Sequence, residues 1–156
     1  MNNKLNNIFQ NLEGVWTLNR TILNVIDNNT ETAEGVAIFF NKNLNDLTTL
    51  NYEEKGRLSI QNGQKHINFN RKYIYRLKEE SIDIILDDGV TKGKLFQTLF
   101  PNDDMNDFNS TEHICRLDKH NGKHIIHNES SFSNEYTVKG PNSDLKIKTH
   151  YVKNNN

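Results

Sequence analysis

Apolar and polar residues alternate with a period of two along most of this chain. From position 67 to 77 the odd-numbered residues are apolar or aromatic except Arg71, and the even-numbered residues are polar except Ile74. Successive side chains of a strand point to opposite faces, so this pattern predicts a half-buried β-strand. Segments of this kind predict strands at 16–22, 33–40, 48–54, 57–61, 66–78, 82–88, 94–100, 112–117, 123–127, 136–139 and 145–152.

A different spacing precedes the first strand. The apolar residues there recur at helical intervals, at Leu5, Ile8, Phe9 and Leu12. This spacing predicts one short helix that ends just before Gly14. The longest stretch without alternation, 101–110, is acidic and polar. It predicts a solvated loop or, alternatively, a mobile loop over an opening.

Many short strands and a single helix predict an all-β fold. One helix cannot cover both faces of a parallel sheet, so the strands are expected to be antiparallel. Closing the sheet into a barrel removes its exposed edges, and barrels of this size often hold one small ligand. We therefore predict an antiparallel β-barrel of about 8 to 10 strands. It forms one domain over residues 1–156, with flexible tails at 1–3 and 154–156.

Composition and charge narrow the class of protein. The formal net charge is −1, so no overall basic field attracts nucleic acid. Cys115 is the only cysteine, which excludes a disulfide within the chain and a site built from several thiolates. No signal peptide or membrane-spanning run is evident. We expect a cytoplasmic protein, monomeric or homodimeric, with no DNA partner, no membrane partner and no cofactor.

Two arginines lie on strand faces that are otherwise apolar. Arg20 alternates with the apolar residues of 16–22, and Arg71 interrupts the apolar face of 67–77. A buried guanidinium needs an acceptor, and it can bind a carboxylate or a phosphate through two hydrogen bonds. The partner of each arginine is therefore either a ligand or an internal carboxylate such as Glu54 or Asp88.

His113, Cys115 and Asp118 form a second group of reactive side chains. The spacing of two residues places His113 and Cys115 side by side on one strand face. A neighbouring imidazole can activate a thiol, but a free cysteine is more often a small packed side chain. We expect Cys115 to pack, and His113 to act as a hydrogen-bonding residue or as a general acid or base.

Three further histidines, His120, His124 and His127, suggest a metal site at first sight. In one strand His124 and His127 would face opposite ways, and no cysteine or carboxylate cluster completes a tetrahedral site. We expect these histidines at the surface and predict no metal site.

The order of glycines, aromatic residues and charged residues resembles a known family. The Gly-x-Trp at the start of the first strand is similar to the signature of the calycins, which include lipocalins and fatty-acid-binding proteins. A longer series resembles the DUF6314 family of small intracellular proteins: Gly14-x-Trp16-x-x-x-Arg20-x-Ile22, Gly35-x-Ala37-x-Phe39, Tyr52-x-Glu54-x-Gly56, Arg71-x-Tyr73, Asp88-Gly89, His113-x-Cys115-x-x-Asp118, and Gly140-Pro141 followed by Asp144 and Tyr151.

That resemblance implies a lipocalin-like (calycin) barrel and brings no established activity with it. It also implies that Lys153 closes the Trp16 end of the barrel, as a basic residue does in lipocalins. Two positions depart from the family pattern: Gln97 replaces a histidine, and Asn142-Ser143 replaces a segment with a lysine. A reaction that requires those two groups is not expected here.

These features favour a binding protein over an enzyme. We expect an intracellular barrel whose cavity binds a small anionic molecule, with Arg20 and Arg71 holding its carboxylate or phosphate. The candidate ligand-binding site also includes Trp16, Tyr52, Tyr73, Asp88, Gln97 and Cys115. The alternative is an enzyme on the same barrel, in which His113 is the general acid or base.

Overall fold

The computed structural model describes residues 2–155, which form one helix and eleven strands. Their bounds are α1 Asn3–Asn11, β1 Gly14–Asn24, β2 Asn29–Phe40, β3 Thr49–Ile60, β4 Lys65–Leu77, β5 Ile82–Leu86, β6 Leu95–Pro101, β7 Asp107–Ser110, β8 His113–Cys115, β9 Asp118–Asn128, β10 Ser131–Gly140 and β11 Ser143–Lys153.

The sheet closes on itself as an antiparallel barrel. Its strands follow the order β10-β11-β1-β2-β3-β4-β5-β6-β7-β9, and a further pairing of β9 with β10 completes the ring. The short strand β8 pairs only with the start of β9 and adds an eleventh strand beside the ten that close. This architecture confirms the predicted all-β, antiparallel, lipocalin-like barrel with a short N-terminal helix.

Helix α1 covers one end of the barrel. Leu5 and Phe9 are fully buried in the core, and α1 is tied to three turns at this end, through Lys4 to Asp104 O, Gln10 to Leu47 O and Asn11 to Glu129 O. The turns 61–64 and 87–94 lie at the opposite end of this up-and-down barrel. The barrel therefore has a closed end at α1 and an open end.

Trp16 seals the closed end beneath the helix. Its side chain is 1% exposed, and its Nε1–H donates to Leu12 O at 2.8 Å. Lys153 Nζ lies 5.4 Å from the Trp16 ring centroid and donates to Asn11 O at 2.7 Å. The predicted closing role of Lys153 is thus confirmed.

Two strand predictions were wrong in the second half of the chain. The segment 101–110 is neither a solvated loop along its whole length nor a loop over an opening, because Asp107–Ser110 forms β7 and Phe108 is buried in the core near the closed end. The predicted strand 112–117 is divided, because the chain turns at Arg116, whose φ is 58°, between β8 and β9. In the first half, 48–54 and 57–61 join in the single strand β3.

The ends of the chain are described in part. Asn3 begins α1, and the backbone N–H of Asn154 donates to Val15 O at 2.8 Å. The predicted flexible tails also include Met1 and Asn156, which lie outside the described residues. No helix within residues 2–155 is long and apolar enough to cross a membrane.

Candidate functional site

The open half of the barrel contains a cavity of about 410 Å³. All five tyrosines of the chain line it, namely Tyr52, Tyr73, Tyr75, Tyr136 and Tyr151. Burial raises the pKa of each phenol above its ordinary value, so all five remain protonated at neutral pH. The wall of the cavity is therefore aromatic and carries neutral hydroxyl groups.

A larger depression of about 630 Å³ lies on the outer face of β1, β2 and β9 to β11. None of the residues that line it is buried, and several, such as Lys146 and Lys148, are exposed. We place the candidate site in the interior cavity, because charged and polar side chains are held there in a buried setting.

Arg20 forms a bidentate ion pair with Glu54 at the floor of this cavity. Arg20 Nη1 and Nη2 donate to the two carboxylate oxygens of Glu54 at 2.8 and 3.1 Å, and Arg20 Nε donates to Thr149 Oγ1 at 2.8 Å. Burial acts to lower the pKa of Arg20, but the hydrogen bonds to Glu54 and the electrostatic interactions with Tyr151, Glu54 and Tyr52 together outweigh it, so the pKa is raised. Of the two alternatives left open by the sequence, the internal carboxylate is the partner of Arg20.

A chain of hydrogen bonds leads away from this ion pair. The Tyr52 hydroxyl is 2.8 Å from Glu54 Oε1 and 3.0 Å from the Tyr151 hydroxyl, and Asn134 Nδ2 is 3.5 Å from Tyr151. A carboxylate only accepts, so Tyr52 donates to Glu54, Tyr151 donates to Tyr52, and Asn134 donates to Tyr151. This direction leaves Asn134 Oδ1 as a buried acceptor with no partner among residues 2–155.

Arg71 also points into the cavity, but no ion pair within residues 2–155 involves it. It lies opposite Glu54 in the β3–β4 register, yet both carboxylate oxygens of Glu54 already bind Arg20. The adjacent Tyr73 phenol raises the pKa of Arg71, whereas burial opposes this effect. Arg71 is exposed, so its guanidinium is accessible to an incoming group.

Aromatic rings form a wall beside Arg71. The Tyr73 and Phe96 ring centroids are 5.7 Å apart, and the Phe96 and Tyr136 centroids are 6.5 Å apart. Phe96 reaches this position because β6 bulges against β5: Ile84 pairs with Gln97 and Ile85 with Leu95, which leaves Phe96 as the extra residue. Rings at these separations can hold a flat apolar group.

Asp118 and His120 line the cavity from β9. Burial and the neighbouring His113 lower the pKa of His120, so this imidazole is neutral at pH 7. The ring of His113 packs against Phe96, with the ring centroids 4.7 Å apart, and its centroid lies 5.9 Å from that of His120. His113 is thus a partly buried neighbour of the cavity wall.

The structure brings some of the predicted site residues together and separates others. Arg20, Tyr52, Arg71 and Tyr73 line the cavity. Trp16 lies at the closed end, and Gln97 is fully buried, with its Nε2 donating to His120 O. Asp88 is exposed, and its carboxylate accepts from Lys72 N.

Three expectations about side chains near β8 and β9 were wrong. His120 is not a surface residue, because it is partly buried and lines the cavity. Cys115 does not pack in the interior, because its side chain is exposed at the end of β8. His124 is not a surface residue: it is 6% exposed, its Nε2 is 3.0 Å from the Tyr136 hydroxyl, and burial lowers its pKa to about 3. His127, by contrast, is exposed as expected.

Asn134 and His120 were missed as cavity residues because their strands were predicted too short, whereas Tyr136 was missed although it begins the predicted strand 136–139. The structure extends β9 back to Asp118 and β10 back to Ser131. In β10 the polar Asn134 lies between the inward aromatic residues Phe132 and Tyr136. The inward positions of β9 carry polar residues such as Asp118, His120 and His124, so hydrophobic alternation does not mark that strand. The signal that could have found them is the regular spacing of two between Asp118, His120 and Gly122.

Comparison with models of known protein families identifies the family of this chain. Residues 12–153 match the model of a family of unknown function, DUF6314. The chain belongs to the DUF6314 family. The predicted resemblance is thereby confirmed, and the match spans all strands of the barrel. A comparison with curated proteins finds no match.

Solved structures similar to this DUF6314 barrel share its fold at low sequence identity. The S-type phycobiliprotein lyase CPES from Guillardia theta has a TM-score of 0.70 at 9% identity, with coverage of 96% of this chain and 92% of that one. EF1p2_mFAP2b bound to DFHBI has a TM-score of 0.53 at 13% identity, with coverage of 96% and 99%. A DUF3598 family protein of unknown function from Nostoc punctiforme has a TM-score of 0.60 at 6% identity, with coverage of 94% of this chain and 49% of that one.

Proposed function

We propose that this DUF6314 barrel binds a small molecule with a carboxylate or phosphate group in its cavity, and that Arg71 holds that group. The observation that carries the proposal is the contrast between the two inward arginines. Arg20 donates three hydrogen bonds to Glu54 and Thr149, whereas Arg71 has no ion pair within residues 2–155. A guanidinium that has no carboxylate partner and lies at a cavity wall is suited to bidentate binding of an anion.

The aromatic wall supplies the rest of the proposed site. Tyr73, Phe96 and Tyr136 surround the space next to Arg71, so the apolar part of the ligand is expected to be flat. Similar barrels support a small-molecule ligand: one is a phycobiliprotein lyase, and another is bound to DFHBI. The cytoplasmic location and the oligomeric state stay predictions.

Native mass spectrometry of the purified protein tests this function. We expect the wild type to carry a co-purifying small anion, and Arg71→Met to lose it. The matched control is Arg57→Met, which removes an exposed arginine from the outer face of β3. An adduct that persists at equal abundance in folded Arg71→Met would contradict the role of Arg71.

An enzyme on the same cavity is the second candidate function. The contact of His113 with Phe96 and its proximity to His120 favour it, because an imidazole at a cavity wall can move a proton. If a metabolite screen finds turnover, His113→Gln is expected to lower it by about 10² to 10⁴. Cys115→Ser is the control and should be mild, since Cys115 is exposed. Loss of activity in Cys115→Ser with a tolerated His113→Gln would favour a thiolate nucleophile instead.

A further inference from the structure

Asp118 brings a carboxylate to the same cavity as Arg71. It lines the cavity from the start of β9, is partly buried, and forms no ion pair within residues 2–155. Its position depends on Gly140, because a Cβ at that residue would overlap Asp118 Oδ1. The carboxylate therefore lies against the β10 backbone.

Asn134 supplies a second acceptor that the protein leaves unused. The side chain lines the cavity and is 8% exposed, and its Oδ1 has no partner among residues 2–155. The amide is oriented with its Nδ2 at 3.5 Å from the Tyr151 hydroxyl, whose proton is directed to Tyr52 in the chain that ends at Glu54, so Oδ1 is the atom left without a partner. A buried acceptor without a donor is unfavourable, so a ligand that provides a donor to Asn134 Oδ1 gains binding free energy.

The charges of the cavity balance before any ligand enters. Arg20 and Glu54 neutralise each other, and Arg71 and Asp118 carry opposite charges. His120 is neutral at pH 7, because burial and His113 lower its pKa. A ligand whose only charged group is an anion would pair with Arg71. It would also displace water from the Asp118 carboxylate without supplying a hydrogen-bond donor or a positive charge in its place. A desolvated, unpaired carboxylate is strongly unfavourable.

We infer that the ligand is amphoteric: an aromatic molecule that presents an anion to Arg71 and an ammonium or N–H group to Asp118. This inference rests on the proposed function and narrows it to one ligand class. The unused Oδ1 of Asn134 is a further acceptor for a donor on the same molecule. An amphoteric ligand would leave the occupied cavity neutral.

Three indole probes of matched size separate the charge classes. They are tryptophan with both charges, indole-3-propionate with the anion only, and tryptamine with the cation only. Isothermal titration at pH 7.5 measures each of them against the wild type, Asp118→Asn and Arg71→Met. Asp103→Asn, an exposed residue at the closed end, is the control, and circular dichroism verifies that every variant is folded.

We expect the wild type to bind tryptophan at least about 10-fold more tightly than indole-3-propionate. In Asp118→Asn this preference should fall to within about 2-fold, because the charge that favours the ammonium is gone and the anion is no longer repelled. Asp103→Asn should retain the wild-type preference. Arg71→Met should weaken both acids.

The outcomes distinguish this inference from the function on which it rests. If the two acids bind equally to the wild type through Arg71, or if the tryptophan preference persists in Asp118→Asn, the amphoteric ligand is overturned and the anion site stands. If neither acid binds the folded wild type, or if Arg71→Met leaves both affinities unchanged, the proposed function fails, and the inference fails with it.

Discussion

At the scale of single residues, the two inward arginines have different tasks. Arg20 is held by three donor contacts to Glu54 and Thr149, and its side chain is 15% exposed. It also lies over the ring of Phe69, at 5.7 Å from the centroid. Arg20 thus stabilises the barrel interior, whereas Arg71 lines the cavity beside Tyr73 and forms no ion pair within residues 2–155.

Removing one partner of the buried pair should destabilise the fold. We predict that Glu54→Gln lowers the free energy of unfolding by about 3 kcal/mol, because Arg20 would keep its charge in a buried setting without a counter-ion. Glu53→Gln on the same strand is the matched control. Its pair with the exposed Lys55, at 3.3 Å, should contribute less than about 1 kcal/mol. Urea titrations measure both, and equal losses would contradict the structural role of the pair.

His124 makes stability depend on pH. Its folded pKa is lowered to about 3 by burial, whereas an unfolded histidine titrates near 6.5. Below pH 6.5 this histidine is protonated in the unfolded chain but stays neutral in the folded protein. The contribution of neutral His124 to the free energy of unfolding is therefore complete above pH 6.5 and is lost as the pH falls towards 3.

We therefore predict that His124 accounts for a loss of about 2 kcal/mol in unfolding free energy between pH 7 and pH 5. His124→Gln, which keeps a polar group near Tyr136, should show a smaller loss over this interval. His66→Gln at an exposed position should behave as the wild type. Urea titrations at the two pH values measure the difference, and identical pH profiles for His124→Gln and the wild type would refute the assignment.

At the scale of elements, helix α1 and the start of β1 close the barrel together. The indole N–H of Trp16 donates to the carbonyl oxygen of Leu12, the residue that follows α1. Its ring packs edge-on against Phe132, with the two ring centroids 4.8 Å apart. Lys153 from β11 covers the outer side of its ring. One side chain thus joins the helix, the first strand and the last strand.

Truncation of this side chain should open the closed end. We predict that Trp16→Ala costs about 3 to 5 kcal/mol of stability, the usual range for a large buried side chain. Leu44→Ala, at a position 82% exposed, is the control and should change little. Thermal unfolding compares the two, and a melting temperature of Trp16→Ala close to the wild type would contradict the burial of Trp16.

The elements that could be predicted are those whose inward faces are apolar. In β4 the alternation from Ile67 to Leu77 identified both the strand and the inward position of Arg71. In β9 the inward residues include Asp118, His120 and His124, so the hydrophobic signal is absent although the strand is long. Hydrophobic alternation does not identify β9 because its inward side chains line a polar cavity instead of packing in an apolar core.

At the scale of the whole molecule, the barrel divides into two regions. The closed half is filled by a continuous apolar core that includes Phe9, Trp16, Phe39 and Phe132. The open half keeps a cavity of about 410 Å³, with charged groups on strands from both halves of the chain. Arg20 and Glu54 are separated by 34 residues in sequence, and Arg20 and Thr149 by 129. Such partnerships depend on barrel closure and register, which a single sequence does not reveal.

The central claim is that Arg71 recognises an anionic group inside the cavity. Isothermal titration of indole-3-propionate and of its neutral amide, indole-3-propionamide, against the wild type and Arg71→Met tests it most directly. We predict that the wild type prefers the acid by at least about 10-fold, or 1.4 kcal/mol, and that Arg71→Met loses this preference while the affinity for the amide changes little. A preference for the acid that survives in folded Arg71→Met, or no preference in the wild type, would contradict the account.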